Sequence, residues 1–288
     1  MAVVAPAGVC DPLRLASGVR LLGEWGLEVE DLTGTSPVRY MAGTDGERTS
    51  LLEQAFSRPD LRAVLAARGG FGSTRLQGRF DMARVADNPR MFVGFSDLSI
   101  LLNRFVKEAN LVCYHGPMIA ADLLRISRRG RESFRRFLFG ESGWWDGRAR
   151  ECWRPGSAEG QLRGGCLSVL VTTLGTAAEI ETDGCILFLE DVAEKPYRID
   201  RMMTHLRQAG KFRRVAGVVL GPMTDCDDHQ GPSLLRDIVM EALDGTDCPV
   251  VWGLQAGHGC DNVVLPFGCR VRLDASAPGL ELLEEALA

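Results

Sequence analysis

The chain is 288 residues long, 45% hydrophobic and 25% charged, a globular composition with enough length for two domains and a core that needs no disulfide or metal staple. Its 33 basic and 38 acidic residues leave a formal net charge of −5, which excludes the basic footprint of a general nucleic-acid or anionic-membrane binder. No run of about 18 apolar residues occurs, and the opening Met-Ala-Val-Val-Ala-Pro carries no basic region, so neither a membrane span nor a secretory signal is expected and a cytoplasmic location follows.

Val3–Ala5 reads as a short apolar strand. Asp11-Pro12 then opens a helix, with Asp as cap and Pro at the first helical position. Leu15, Val19, Leu22 and Trp25 recur at helical spacing until Gly26. Leu27–Val29 is the next strand, residues 33–44 a polar loop, and Arg48–Phe56 a helix. Leu61–Ala67 is a buried strand ended by Arg68-Gly69-Gly70-Phe71-Gly72. Met91–Phe95 is another strand, and a helix starting at Asp97 puts Leu98, Leu101, Leu102, Phe105 and Val106 on one face. Leu111–Tyr114 follows as a strand. This alternation means parallel βαβ units in an α/β sheet covered on both faces.

The composition shifts over residues 140–160, where Trp144, Trp145 and Trp153 lie among Gly, Arg, Glu and Pro. We read 1–140 as an N-terminal α/β domain, 141–160 as a linker and 161–288 as a C-terminal α/β domain. The second pattern has helices at Leu167–Leu174, Ile199–Gln208 and Ser233–Leu243, and strands at Cys185–Leu189, Val215–Leu220 and Val250–Trp252. Val263–Leu265 and Val271–Leu273 flank Pro-Phe-Gly and predict a closing hairpin. The nine cysteines are odd in number, form no Cys-x-x-Cys and read as scattered buried thiols of a reducing compartment.

Four places supply chemistry. Ser96, in Met-Phe-Val-Gly-Phe-Ser-Asp, stands where a strand gives way to a helix, so its hydroxyl can be a nucleophile near the partial positive charge of a helix start. The bland alternative is a helix-capping serine, since the esterase pattern Gly-x-Ser-x-Gly is absent. The glycines of Arg68–Ser73 can present backbone N–H groups to an anion, or simply make a tight turn. Glu190 and Asp191 end an apolar strand at the sheet edge where α/β proteins place ligands, and alternation points them in opposite directions. One could orient a histidine, or cap the next segment, while Glu194, Lys195 and Arg198 could form a solvated ion cluster. His258, between two glycines, can be a general base, with His115 as its rival and His205 structural. The run Asp225–His229 looks like a metal cluster, but contiguous residues cannot all converge on one ion. Ser, Glu and His at strand edges, with a glycine-rich donor loop, permit acyl transfer without choosing esterase, amidase or peptidase.

Taken together the motifs resemble those of the LD-carboxypeptidases (muramoyltetrapeptide carboxypeptidases), a serine peptidase family that includes the microcin C self-immunity proteins. The resemblance rests on Val-Val-Ala-Pro-Ala-Gly, Arg-Gly-Gly-Phe-Gly-Ser-Thr-Arg-Leu at 68–76, Gly-Phe-Ser-Asp at 94–97 and Tyr-His-Gly-Pro-Met at 114–118. Gly-Gly-x-Leu-Ser at 164–168, the block at 187–201 and Gly-His-Gly-x-Asp-Asn at 257–262 complete it, in order along nearly the whole chain. It implies an N-terminal Rossmann-like parallel sheet with flanking helices and a C-terminal α/β domain of swivelling type, with the active site between them. It also implies Ser96 as nucleophile, His258 as general base and acid, Glu190 as the carboxylate that orients the imidazole, and the N–H groups of Gly70 and Asp97 as oxyanion hole. Arg68, Glu194 and Arg198 are the implied substrate contacts.

The implied reaction releases terminal D-Ala from murein tetrapeptide in the cytoplasm, without metal or cofactor, by a homodimer that binds neither nucleic acid nor membrane. Two alternatives stand beside it. The microcin-immunity branch cleaves an aminoacyl-nucleotide or acyl-sulfamoyl-adenylate amide, with Trp144, Trp145 and Trp153 as candidate platforms for a base. The other is a two-domain small-molecule binder without turnover. The sequence departs from the family pattern in lacking the usual short segment before the first strand, in Cys166 where Asn is usual, and in Cys260 within the histidine loop.

Overall fold

The computed structural model describes residues 1–34, 36–227 and 232–287. They form two compact units, Met1–Trp145 with Cys260–Leu265, and Asp146–Gly259 with Pro266–Ala288.

The first unit runs β1 (Ala2–Val4), α1 (Pro12–Glu24), β2 (Glu30–Leu32), α2 (Asp45–Ser57), β3 (Ala63–Ala66), α3 (Met82–Asp87), β4 (Met91–Gly94), α4 (Ser99–Ala109), β5 (Cys113–His115) and α5 (Arg128–Leu138). Local chemistry explains the helix starts. Asp11 Oδ1 accepts from the N–H groups of Leu13 (2.8 Å) and Arg14 (3.1 Å), ahead of Pro12. Thr44 and Glu47 form a reciprocal capping box on α2. The adjoining pairs among β2, β1, β3, β4 and β5 are all parallel. Phe56, Phe92 and Phe105 interlock beneath them, with ring centroids 5.1 Å apart for Phe92–Phe105 and 5.4 Å for Phe56–Phe105. Such side chains each contribute about 1.5–3 kcal/mol on burial.

The second unit runs β6 (Glu151–Arg154), β7 (Ser157–Cys166), α6 (Leu167–Val171), β8 (Cys185–Val192), α7 (Pro196–Gln208), β9 (Gly217–Thr224), α8 (Pro232–Ala242) and β10 (Val250–Trp252). After β11 (Leu265–Phe267) come β12 (Arg270–Asp274) and β13 (Gly279–Leu282). The sheets have the orders β11-β5-β4-β3-β1-β2 and β13-β12-β7-β8-β9-β10-β6. Strands β7 to β10 are parallel in the centre of the second sheet, with β12 antiparallel to β7 and β6 antiparallel to β10 at its flanks. β8 is buried from Cys185 to Asp191, as a central parallel strand must be.

Several expectations differ from the structure. The strand expected at Leu27–Val29 is displaced to Glu30–Leu32, because Leu27 N–H still closes helix α1 on Leu22 O (3.1 Å). The displaced strand is polar because it lies at the sheet edge with one neighbour. The expected hairpin does not form: β11 joins the first sheet, whereas β12 pairs with β7 and β13. The expected linker 141–160 contains β6 and the start of β7. Trp153 is 7% exposed and stacks on Trp252 (5.8 Å, 7° between planes), so it is packed in the core and presents no open platform. All nine cysteines are free thiols, but burial is not as general as expected: Cys152 and Cys260 are exposed and Cys10 is half-buried.

Candidate active site

Ser96 stands one residue beyond β4, after Phe95, and begins a 3-10 turn, Ser96–Leu98, that runs into α4. It has φ +61°, left-handed backbone that costs a non-glycine residue roughly 1–2 kcal/mol. Within the run 92–100 it alone is partly exposed. The surrounding core thus holds a strained turn at its one partly exposed residue. Gly69 lies against it: a Cβ there would come within 2.9 Å of Ser96 Cβ and 3.0 Å of its Oγ. The turn and the glycine loop therefore touch only because residue 69 has no side chain.

Gly70 is exposed and has φ +104°. The loop is tied to the serine turn by Asp97, whose Oδ2 accepts the Ser73 N–H at 2.8 Å. Asp97 is 3% exposed, and burial pushes its carboxyl above the ordinary carboxylate value despite that bond. On the other flank Gly8 N–H donates to Gly69 O at 3.0 Å. Arg68 is exposed, and its Nη1 donates to Val9 O at 3.0 Å.

In the second unit β8 delivers Glu190 to a fully buried position. Glu190 Oε2 lies 2.7 Å from His258 Nδ1 and accepts the His258 backbone N–H at 3.0 Å. Ring and main chain of His258 are thus fixed by one oxygen, and Thr224 Oγ1 donates to the His258 carbonyl at 2.6 Å. Gly257, at φ +93°, wraps the carboxylate so closely that a Cβ would sit 2.5 Å from Oε2. The dyad can hold an imidazole in one tautomer and stabilise its cation.

Asp191 points elsewhere. Its Oδ2 accepts the Ser168 N–H at 2.7 Å, and its Oδ1 accepts from Val192 N–H (2.8 Å) and Ser168 Oγ (3.2 Å). Cys166 is 3% exposed, with Sγ 3.6 Å from Asp191 Oδ1. Burial, with Glu190 and Asp191 adding repulsion, holds its thiol well above the ordinary value. Glu194 and Arg198 pair with each other at 3.3 Å across one turn. His115 is fully buried on β5, edge-on to Phe95 at 5.5 Å, which removes it as a rival base. His205 is exposed on α7. Asp228 and His229 lie outside the described residues, and among those described no group of three His, Cys, Asp or Glu side chains is placed to hold a metal ion. No described helix is long and apolar enough to cross a membrane.

Motif reading did not find Thr224, Gly69 as the serine's neighbour, or the buried Arg48 beside the glycine loop. Gly69 belongs to the glycine motif, but its contact with Ser96 is tertiary; Thr224 and Arg48 sit in no pattern that spacing reveals.

A strained serine after a parallel strand, beside a glycine loop, and a carboxylate–histidine dyad at the end of another strand define the chain as an α/β protein with the parts of a serine hydrolase. Residues 1–116 match the LD-carboxypeptidase N-terminal domain and residues 159–273 the LD-carboxypeptidase C-terminal domain of peptidase family S66. The murein tetrapeptide carboxypeptidase of Pseudomonas aeruginosa is 32% identical over 279 residues, 93% of this chain and 91% of the relative. A crystal structure of muramoyltetrapeptide carboxypeptidase from Oxalobacter formigenes superposes with TM-score 0.85 at 29% identity, covering 97% of this chain and 96% of the other. MccF in complex with glutamyl sulfamoyl guanosine has the same fold, with TM-score 0.88 at 21% identity over 100% of this chain and 96% of that one. The chain belongs to the LD-carboxypeptidase family, peptidase S66.

Proposed function

We propose that this protein is a serine LD-carboxypeptidase that releases terminal D-Ala from murein tetrapeptide, in the cytoplasm, as a homodimer and without metal or cofactor. The observation that carries the reading is the buried Glu190 bound to His258 Nδ1 at 2.7 Å, the orienting half of a serine-hydrolase triad. The positive φ of Ser96 and the glycine loop beside it support Ser96 as nucleophile. The relatives' names supply the substrate class.

In this reading Ser96 Oγ attacks the carbonyl of the diamino acid's L-centre while His258 Nε2 takes its proton. The N–H groups of Gly70 and Asp97 stabilise the resulting oxyanion. The C–N bond breaks, D-Ala leaves with the proton from His258, and water then hydrolyses the acyl-enzyme by the same route in reverse. Arg68, Glu194 and Arg198 are the proposed substrate contacts. The test is incubation with murein tetrapeptide and mass spectrometry for tripeptide and D-Ala, with Ser96→Ala as control. Release by wild type alone supports the reading. Cleavage of an aminoacyl-sulfamoyl nucleoside without cleavage of tetrapeptide would move the protein to the microcin-immunity branch; of its three expected platforms Trp153 is buried, while Trp144 and Trp145 are half-buried.

A further inference from the structure

We propose that Arg48 is a positioning residue for the reaction: its buried guanidinium sets the shape of the glycine loop that presents the Gly70 N–H. The inference rests on the assignment of Ser96 and Gly70 made above. Arg48 belongs to α2 and to none of the family motifs, yet it is 2% exposed. Its Nη1 donates to the carbonyls of Pro6 and Gly72, at 2.9 Å for Gly72. Its Nη2 donates to Asp45 Oδ1 at 2.7 Å and meets Met41 Sδ at 3.5 Å. One planar cation thereby joins the loop after β1 to the loop after β3.

The fit is close. Gly72 has φ +153°, and a Cβ on it would lie 2.7 Å from Arg48 Nη1 and 3.0 Å from Ala7 Cα. The next residue, Ser73, donates its N–H to Asp97 at 2.8 Å. Gly69, on the other side, accepts from Gly8 N–H at 3.0 Å. Gly70 and Phe71 therefore span two anchored ends, and Arg48 supplies the anchor at Gly72. A buried charge is costly, and an apolar side chain of similar volume commonly serves stability as well. Arginine is explained by geometry: its fork reaches two carbonyls and a carboxylate together, which the point charge of a lysine cannot do.

An oxyanion donor acts mainly in the transition state, so displacing it lowers kcat more than it raises KM. The experiment measures kcat, KM and thermal melting of Arg48→Lys and Asp45→Asn on murein tetrapeptide. Loss of a whole donor costs about 10²–10³-fold. A displaced one in Arg48→Lys is expected to cost roughly 10–100-fold in kcat, with KM within about threefold. Asp45→Asn, which keeps the guanidinium but weakens its hold, is expected to cost roughly 3–10-fold in kcat with KM held. A folded Arg48→Lys with kcat within threefold of wild type, or with only KM raised, overturns the role. If Arg48→Lys fails to fold, Asp45→Asn decides: wild-type kcat in that variant overturns it. An active wild type with a dead Ser96→Ala variant and unchanged Arg48 and Asp45 variants rejects Arg48 alone. Tetrapeptide turnover that survives Ser96→Ala, or an inactive wild type, rejects the underlying assignment and this proposal with it.

Discussion

His258 Nδ1 lies 2.7 Å from Glu190 Oε2, and the same oxygen accepts the histidine's own backbone N–H at 3.0 Å. Glu190→Gln would keep the shape but can no longer serve as a charged acceptor to both groups. We expect kcat to fall by about 10²–10⁴-fold, as when a triad carboxylate is neutralised. Asp191→Asn should act differently, because Asp191 holds the start of α6 through Ser168 and does not bind His258. It should lower the melting temperature and leave kcat within about tenfold. Steady-state kinetics with circular dichroism melts compare the two, and a larger kcat loss in well-folded Asp191→Asn would assign the wrong carboxylate.

Ser96 is expected to be both the nucleophile and a source of strain. Ser96→Ala should lose activity by several orders of magnitude, up to about 10⁶-fold, with the fold intact. Ser96→Gly should be equally inactive yet more stable than Ser96→Ala by roughly 1 kcal/mol, since glycine accepts φ +61° freely. Urea titration of both variants checks the second statement, and equal midpoints would mean the turn is unstrained.

Gly257→Ala tests the wrap around the buried carboxylate. The new methyl would fall 2.5 Å from Glu190 Oε2 at a φ of +93°. The loop must move, and His258 with it. We expect kcat to drop at least about 10²-fold while far-ultraviolet dichroism is unchanged. Wild-type turnover in this variant would show that the dyad tolerates displacement.

Asp97 gives a pH prediction. Its carboxyl is held above the ordinary value of 3.8, burial being the largest cause. A raised folded value means that the protonated acid favours the fold. That contribution is complete below the unfolded value and is lost as pH rises through the folded one. Asp97→Asn cannot ionise and keeps an oxygen for Ser73 N–H. Its stability relative to wild type should therefore rise as pH goes from 4 towards 7. Denaturant midpoints of both proteins across that range decide it, and a flat or falling difference contradicts the sign.

Metal independence is the last expectation. The proposed chemistry needs only a hydroxyl, an imidazole, a carboxylate and backbone N–H groups. Turnover should survive prolonged EDTA treatment, and loss that added zinc restores would reopen the segment around His229.

Features set by neighbours along the chain were legible in the residues alone. Asp11-Pro12 starts α1 because a cap needs only the next turn's N–H groups. The apolar run 185–189 makes a strand of β8, and period-two alternation separates Glu190 from Asp191. The family motifs singled out Ser96, Glu190 and His258 as candidates, and the fold brings Glu190 and His258 together. What the sequence could not determine was partner choice. Pro-Phe-Gly announces a turn between β11 and β12, yet the two strands belong to different sheets, because ladder hydrogen bonds are made with whatever edge the whole fold offers. Trp153 reads as linker and is core, since burial depends on Trp252, nearly a hundred residues on. In the sequence Arg48 is only the first residue of the helix predicted over Arg48–Phe56. Only tertiary structure brings the Pro6 and Gly72 carbonyls, from two separate loops, to its guanidinium, and a buried cation persists where such partners converge on it.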